Sequence, residues 1–292
     1  METYGFSIPL KYPLRGVTES RGILVSGPAG WGEYSPVPGY SGGKQQACWR
    51  AAVAIASEEK PAPVRDGVAI AVLVPEVSAE RAAEIVRSSG CDCAKVKVAA
   101  GDDDARVEAV RDALGPSGKL RIDANARWSV DEAARRIRTL SRYDLEFAEQ
   151  PVATVEEMAR LRCMVDVPLA ADELVDGPEA ARSIALHGAA DALVLKVQHL
   201  GGVRGALVTA EAGGLPALVS SLMETSVGIA AGLLLACCLP ELSYACGLGT
   251  SALLESDLVA DPLGTRHGFL RLRDVTPDTA LLERYSAEVP LP

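Results

Sequence analysis

Five polar residues recur through the middle of the chain at nearly one interval. Lys97, Asp123, Glu149, Asp172 and Lys196 are separated by 26, 26, 23 and 24 residues, and a further 24 reaches Ser220. Three carboxylates flanked by two lysines have a definite chemistry. Carboxylate oxygens are hard ligands suited to Mg²⁺, with water or substrate completing an octahedron. Such a cation polarises a substrate carboxylate while a lysine removes the weakly acidic proton on the adjacent carbon. A lysine partly desolvated beside Mg²⁺ has its pKa lowered toward that of a working base. The chain is sparing with this residue, having only seven lysines among 29 basic residues. Arginine keeps its proton in proteins, whereas a buried lysine can lose it.

Each residue alone has an ordinary reading. Lys95-Val96-Lys97 is a common half-exposed strand pattern, and Asp123-Ala124-Asn125 is a common turn or helix cap. Glu149-Gln150-Pro151 reads as a strand stopped by proline. Asp172-Glu173 reads as a solvated cap, and Lys196 as a snorkelling edge residue. The shared period outweighs these readings. Alternation adds to it: Lys95 and Lys97 share one strand face while Val96 and Val98 share the other, and Arg121, Asp123 and Asn125 oppose Leu120, Ile122 and Ala124. With the apolar set under helices, the charged set points to an interior, where it must be paired or bind a metal. The histidines His187, His199 and His267 do not follow the period, and His199, just past the sixth strand, reads as an ordinary loop residue.

The elements that would carry this set alternate between strand and helix. Strands are expected over 68–74, 94–98, 120–124, 145–148, 168–171, 192–197 and 216–220. Helices are expected over 78–87, 103–114, 130–142, 155–164, 178–186, 203–212 and 227–237, with Ser129 capping the third. Such alternation implies parallel strands joined by helical crossovers. A unit of roughly 25–30 residues is that of a (β/α) barrel, whose active sites lie at the C-terminal rim of the strands. Residues 1–64 differ, with Gly/Pro clusters, a short strand over 22–26 and a helix over 45–57. The irregular tail 256–292 is read with them as one small domain attached to a barrel over 65–255.

At 292 residues, 48% hydrophobic and 23% charged, the chain is an ordinary globular protein. A net charge of −10 without a basic run argues against nucleic acid or an anionic membrane as partner. No apolar stretch reaches membrane-spanning length, and the first residues lack a signal pattern, so a cytoplasmic protein is expected. Seven cysteines are an odd number, read as reduced thiols. Cys91 and Cys93, without a second pair or a histidine, make a poor zinc site.

The motifs resemble those of the enolase superfamily: Lys95-Val96-Lys97, Ile122-Asp123-Ala124-Asn125 with Trp128, Glu149-Gln150-Pro151, Asp172-Glu173, and Leu195-Lys196-Val197 with Gly201-Gly202. A lysine or histidine base working with Mg²⁺ is the chemistry of that superfamily. Further stretches are most similar to its o-succinylbenzoate synthase family in the short actinobacterial form. These are Gly30-Trp31-Gly32-Glu33 with Ser35-Pro36, residues 220–228 from Ser220 to Gly228, Leu239-Pro240-Glu241, and residues 245–250.

The resemblance implies a modified (β/α)₇β TIM-type barrel under a small α+β capping domain formed from both termini. It implies Mg²⁺, with Mn²⁺ as a possible substitute, and a small-molecule carboxylate substrate dehydrated in syn fashion to o-succinylbenzoate for menaquinone synthesis. Lys97 would be the base, Lys95 its electrostatic support and Lys196 the cation over the opposite ring face. Asp123, Glu149 and Asp172 would ligate the metal, with Arg121 and Asn125 supporting them and contacting substrate. Ser220, Ser221, Thr225 and Ser226, in a loop that ends at a helix N-terminus, would either hold the succinyl carboxylate or simply cap the helix. Residues 16–21 would be a lid. N-acylamino acid racemase, dipeptide epimerase and muconate cycloisomerase activities share the same catalytic residues and stay open. A Schiff-base barrel lyase or a non-catalytic barrel fits less of the pattern. Oligomeric state is left open, a monomer being compatible with everything above.

Overall fold

The computed structural model describes residues 1–14 and 16–292. The chain begins with three antiparallel strands, β1 (Glu2–Leu14), β2 (Val17–Gly27) and β3 (Gly30–Tyr34), followed by α1 (Gly42–Ser57). The helix lies so close to β3 that a Cβ on Gly32 would sit 2.0 Å from the Ala52 carbonyl oxygen. Only glycine permits that approach.

After β4 (Gly67–Ala69), strand and helix alternate: β5 (Ala71–Val74), α2 (Ala79–Ser89), β6 (Cys93–Lys97), α3 (Asp103–Leu114), β7 (Lys119–Asp123) and α4 (Val130–Leu140). Next come β8 (Leu145–Glu149), α5 (Val155–Arg162), β9 (Leu169–Ala171), α6 (Pro178–Leu186), β10 (Ala192–Leu195), α7 (Val203–Gly213), β11 (Ala217–Val219) and α8 (Ser226–Cys238). Strands β5 to β11 form one parallel sheet in sequence order. The helices other than α6 and α7 start with side-chain caps; Ser129 accepts from Glu132 N as expected, and Thr154 and Glu157 form a capping box on α5.

The sheet closes through a segment too short to read in the sequence. Residues 245–247 bridge in parallel to Ile70 on one side and to Ser220 on the other. Cys246 N donates to Ala69 O and Gly247 N to Val219 O, both at 2.8 Å. This is the last β of the (β/α)₇β order. The expected strand 68–74 divides at Ile70 because its partners change: β4 pairs antiparallel with β12 (Phe269–Arg271), and β5 pairs parallel with β6. The tail is more ordered than expected, adding β12 and α9 (Thr279–Arg284). It returns to the first sheet, where Ser7 N donates to Tyr285 O and Ala287 N to Gly5 O, each at 3.0 Å.

Alternation along the strands sorts the barrel into two cores. Val96, Ile122, Leu193 and Leu195 pack outward beneath the helices. Phe147, Ala170, Ala192, Val194 and Leu218 pack together in the interior, with Tyr244 against them. The polar rim residues stand two positions beyond these interior residues: Glu149 after Phe147, Asp172 after Ala170, Lys196 after Val194, Ser220 after Leu218. Two-residue steps keep one face, so the carboxylates and lysines form the next layer up the same interior. Among the described residues, no helix is long and apolar enough to cross a membrane. Six of the seven cysteines are buried, Cys163 alone being exposed.

Candidate active site

Lys97, Asp123 and Glu149 end β6, β7 and β8, and Asp172, Lys196 and Ser220 directly follow β9, β10 and β11. All six side chains are thereby gathered at one rim. Strands β6 and β10 are four places apart in the sheet order, so the two lysines approach from opposite sides with the carboxylate-bearing strands between them.

Lys97 Nζ donates to Asp123 Oδ2 at 2.6 Å and to Asn125 Oδ1 at 2.8 Å. Lys95 Nζ lies 2.5 Å from Glu149 Oε1 and 3.2 Å from Asp123 Oδ2, and Lys196 Nζ lies 2.6 Å from Asp172 Oδ2. All three carboxylates are at most 2% exposed. Burial works to raise the Asp123 carboxyl, but Lys97 and Lys95 outweigh it and hold it below the usual range. Burial, with Asp123 and Asp172 close by, raises Glu149 despite Lys95. For Lys95 and Lys196 burial favours the neutral amine, yet the facing carboxylates prevail and raise both.

Among the described residues, no three acidic, histidine or cysteine side chains are already grouped as a metal cage, because the lysines span the carboxylates. Two atoms nevertheless bear on a metal. Glu149 Oε2 and Asp172 Oδ1 are buried without any hydrogen-bond partner. Orphaned carboxylate oxygens are costly in an interior and call for a ligand. Three carboxylates with two free buried oxygens fit a hard divalent cation.

The rim opens into a cavity of about 690 Å³ whose wall includes Lys95, Lys97, Asn125, Asp172, Lys196, Ser220 and Ser221 from the barrel. The first sheet and the loop after β3 supply the other wall, with residues 16–21 and 35–40. Segment 16–21, expected as a lid, does line the cavity, but from Val17 onward it is strand β2, with Ser20 opposite Ile8. Ser221 Oγ donates to Gly247 O at 3.0 Å and lies 2.7 Å from Thr250 Oγ1.

Three expected substrate contacts lie off the wall. Arg121 is one layer down the interior, where Nε meets Glu146 Oε2 at 2.5 Å and Nη1 meets Ala245 O at 2.8 Å. Its guanidinium stacks 4.5 Å from the Phe147 ring centre, tying the closing segment to the barrel interior. Thr225 directs its hydroxyl to Glu33 Oε2 at 2.5 Å, and Ser226 directs its own to Asp257 Oδ2 at 2.7 Å. The N-terminus of α8, expected to hold a substrate carboxylate or be simply capped, is filled by the protein's own Glu33.

Other residues matter here that the rim period could not single out. Gln150, held at φ 36°, accepts from Asp172 N at 2.9 Å and donates to Val152 O at 2.7 Å. A left-handed non-glycine residue between Glu149 and Pro151 is strained, and these two bonds hold it there. His199 props the cavity-lining Tyr40 through a 2.5 Å Nε2···OH contact. Burial and the neighbouring Lys196 push its imidazole down to about 3, so it is neutral.

With this geometry in hand, the comparisons with known proteins are specific. Residues 77–277 match the family described as "Enolase C-terminal domain-like", and residues 6–56 match "Enolase N-terminal domain-like". The chain belongs to the enolase superfamily. An o-succinylbenzoate synthase of Thermobifida fusca (strain YX) is 55% identical over 276 residues, covering 92% of this chain and 87% of the relative. That of Mycolicibacterium smegmatis is 43% identical over 291 residues, covering 97% and 89%. Within the superfamily, the chain's family is that of the o-succinylbenzoate synthases. Among solved structures, a muconate lactonizing enzyme from Pseudomonas fluorescens superposes with a TM-score of 0.86 over 98% of both chains at 21% identity, a likeness of fold alone.

Proposed function

We propose that the chain is a lyase that dehydrates 2-succinyl-6-hydroxy-2,4-cyclohexadiene-1-carboxylate to o-succinylbenzoate in menaquinone biosynthesis. The observation that carries this reading is the pair of lysines, Lys97 and Lys196, on opposite walls of one cavity with the three carboxylate-bearing strands between them. Identity of 55% to an o-succinylbenzoate synthase narrows the chemistry from the superfamily to this reaction.

Asp123, Glu149 and Asp172 would hold Mg²⁺, or Mn²⁺ in its stead, which when bound neutralises their charge and polarises the substrate carboxylate. Lys97, oriented by Asn125, removes the ring proton next to that carboxylate; the C–H electrons pass into an enediolate. The hydroxyl then leaves, the ring becomes aromatic, and Lys97 returns its proton to the departing oxygen, so that water is the second product. Lys95 keeps Asp123 and Glu149 in place. Lys196, facing the other side of the ring, stabilises the developing negative charge. Ser220 and Ser221 form the wall for the succinyl arm. The division into residues 1–64, 65–255 and 256–292, a cytoplasmic location and a free small-molecule substrate with no nucleic-acid partner belong to this reading.

A base on each side of a cavity also suits a racemase or epimerase, and one experiment separates the readings. Ultraviolet detection of o-succinylbenzoate formed from the cyclohexadiene substrate should show turnover with Mg²⁺, loss with excess chelator, and recovery on adding the metal back. Turnover that survives the chelator removes the metal from the reading. No turnover, with α-proton exchange on N-acylamino acids in deuterated water, moves the activity to racemisation.

A further inference from the structure

Glu33 ends no barrel strand and lies off the wall of the cavity described above, yet it is 1% exposed and fully engaged. It sits on β3. Its Oε1 accepts from Ser35 Oγ at 2.7 Å and Thr225 N at 3.1 Å; its Oε2 accepts from Thr225 Oγ1 at 2.5 Å and Gly228 N at 2.9 Å. Thr225 caps α8 and Gly228 lies in its first turn, whose amides have no partner within the helix. The first sheet therefore supplies the carboxyl oxygens that accept from the unpartnered amides at the start of a barrel helix.

The same cluster reaches the segment that carries Lys196. Ser35 N donates to Gln198 Oε1 at 2.9 Å, and Gln198 Nε2 donates to Ser35 Oγ at 3.0 Å and to Glu224 Oε1 at 2.5 Å. Glu33, Gln198 and Glu224 are all hidden from the cavity, but each is a close chain neighbour of a residue on its wall: Ser35, Lys196 and Met223. Burying two carboxylates in one cluster is costly where apolar residues would fill the same volume. What the cluster adds is register among three wall segments.

We propose that Glu33 is a positioning residue for the reaction: through Thr225, Ser35 and Gln198 it locks the 35–40 wall, the 220–225 wall and the Lys196 segment into one arrangement. This rests on reading the cavity as the reaction site. Several titratable groups face the cluster. Glu224 lies beside Glu33; Cys48 of α1 feels Glu224; Lys196, just past β10, acts on Glu224; Asp257 holds Ser226 on the far side of the helix start. Burial, helped by Glu224, pushes Glu33 up to about 8, and burial pushes Glu224 up to about 7. Above that range both are charged and repel, so the lock should loosen in alkali.

The test is steady-state kinetics and amide hydrogen exchange on the full-length protein. Glu33→Gln sets an NH₂ against backbone and hydroxyl donors. It should raise KM about tenfold or more with kcat within about threefold, and speed exchange of amides 196–200 and 225–228 by about tenfold. The wild-type KM should rise above pH 8, and Glu224→Gln should flatten that rise. A variant that only melts earlier, with KM, pH profile and exchange at 196–200 unchanged, would make Glu33 merely structural and overturn the proposal. If Glu33→Gln does not fold, Ser35→Ala decides, since it removes the hydroxyl that bridges Glu33 Oε1 and Gln198 Nε2 while leaving the bonds from Thr225 and Gly228 to Glu33 in place: faster exchange at 196–200 supports the lock and unchanged exchange overturns it. Should the wild type fail to turn over the cyclohexadiene substrate, the functional reading falls, while the exchange measurements still decide the lock.

Discussion

At the scale of single residues, Lys97 and Asp123 make the sharpest claims. Lys97 touches Asp123 and Asn125 and opens on the cavity, so Lys97→Ala should lower kcat by about 10²–10⁴-fold, the contribution of a positioned general base. Circular dichroism should be unchanged, and turnover within a few-fold of wild type would remove the base assignment. Asp123→Asn removes one charge from the three proposed ligands. Calorimetric titration with Mg²⁺ should then show binding weakened by about tenfold or more, and unchanged affinity would strike Asp123 from the set. These residues were legible because a period is a property of the chain itself. Glu33 and Gln198 were not, because what defines them is contact between segments 192 and 163 residues apart. The glutamate stood within a recognisable Gly-Trp-Gly-Glu stretch, but nothing local said that its partner is the start of α8.

At the scale of elements, the strand–helix alternation was readable and the closing of the barrel was not. Strands β6 to β8 carry five residues each of alternating character, long enough for the pattern to speak. Residues 245–247 have no room for alternation, and only the neighbours Ile70 and Ser220 make them a strand. β1 was missed for a related reason: proline at positions 9 and 13 obscures it, and its pairing with β2 is irregular between those positions. The start of α8 shows how an element can be recognised while its role is misread. Its hydroxyls looked available to substrate, yet Ser226 Oγ donates to Asp257 and accepts from Leu263 N at 2.8 Å. Ser226→Ala should cost about 1–3 kcal/mol of stability, the penalty of leaving buried partners unsatisfied, with KM unchanged. Chemical denaturation and kinetics on one preparation check both halves, and a raised KM would return Ser226 to the substrate site.

At the scale of the whole molecule, two chain ends are brought onto the barrel by one apolar cluster in which Phe6, Ile8 and Leu24 meet Met223, Val227 and Leu258. That cluster carries no charge and has no sensitivity to pH. The adjoining Glu33–Glu224 cluster does, and its sign can be worked out. Both carboxyls have folded pKa values above their ordinary 4.5, at about 8 and about 7. In the unfolded chain they ionise near their ordinary values, while the folded protein keeps its protons to higher pH. Over that window the native state binds more protons, so this pair's contribution to stability is fully present below about 4.5 and is lost as pH rises toward 8. Asp123, whose carboxyl is held low, acts in the opposite sense at acid pH, so the wild-type curve alone would mix the two. Glu224→Gln separates them, because glutamine resembles the protonated acid at every pH. Urea denaturation at pH 5 and pH 8 should show the variant gaining on the wild type by about 1–3 kcal/mol across that interval. A constant difference between the two proteins would mean that Glu224 is already ionised in the folded state near pH 5, and the alkaline loosening of the cavity wall would have to come from another group.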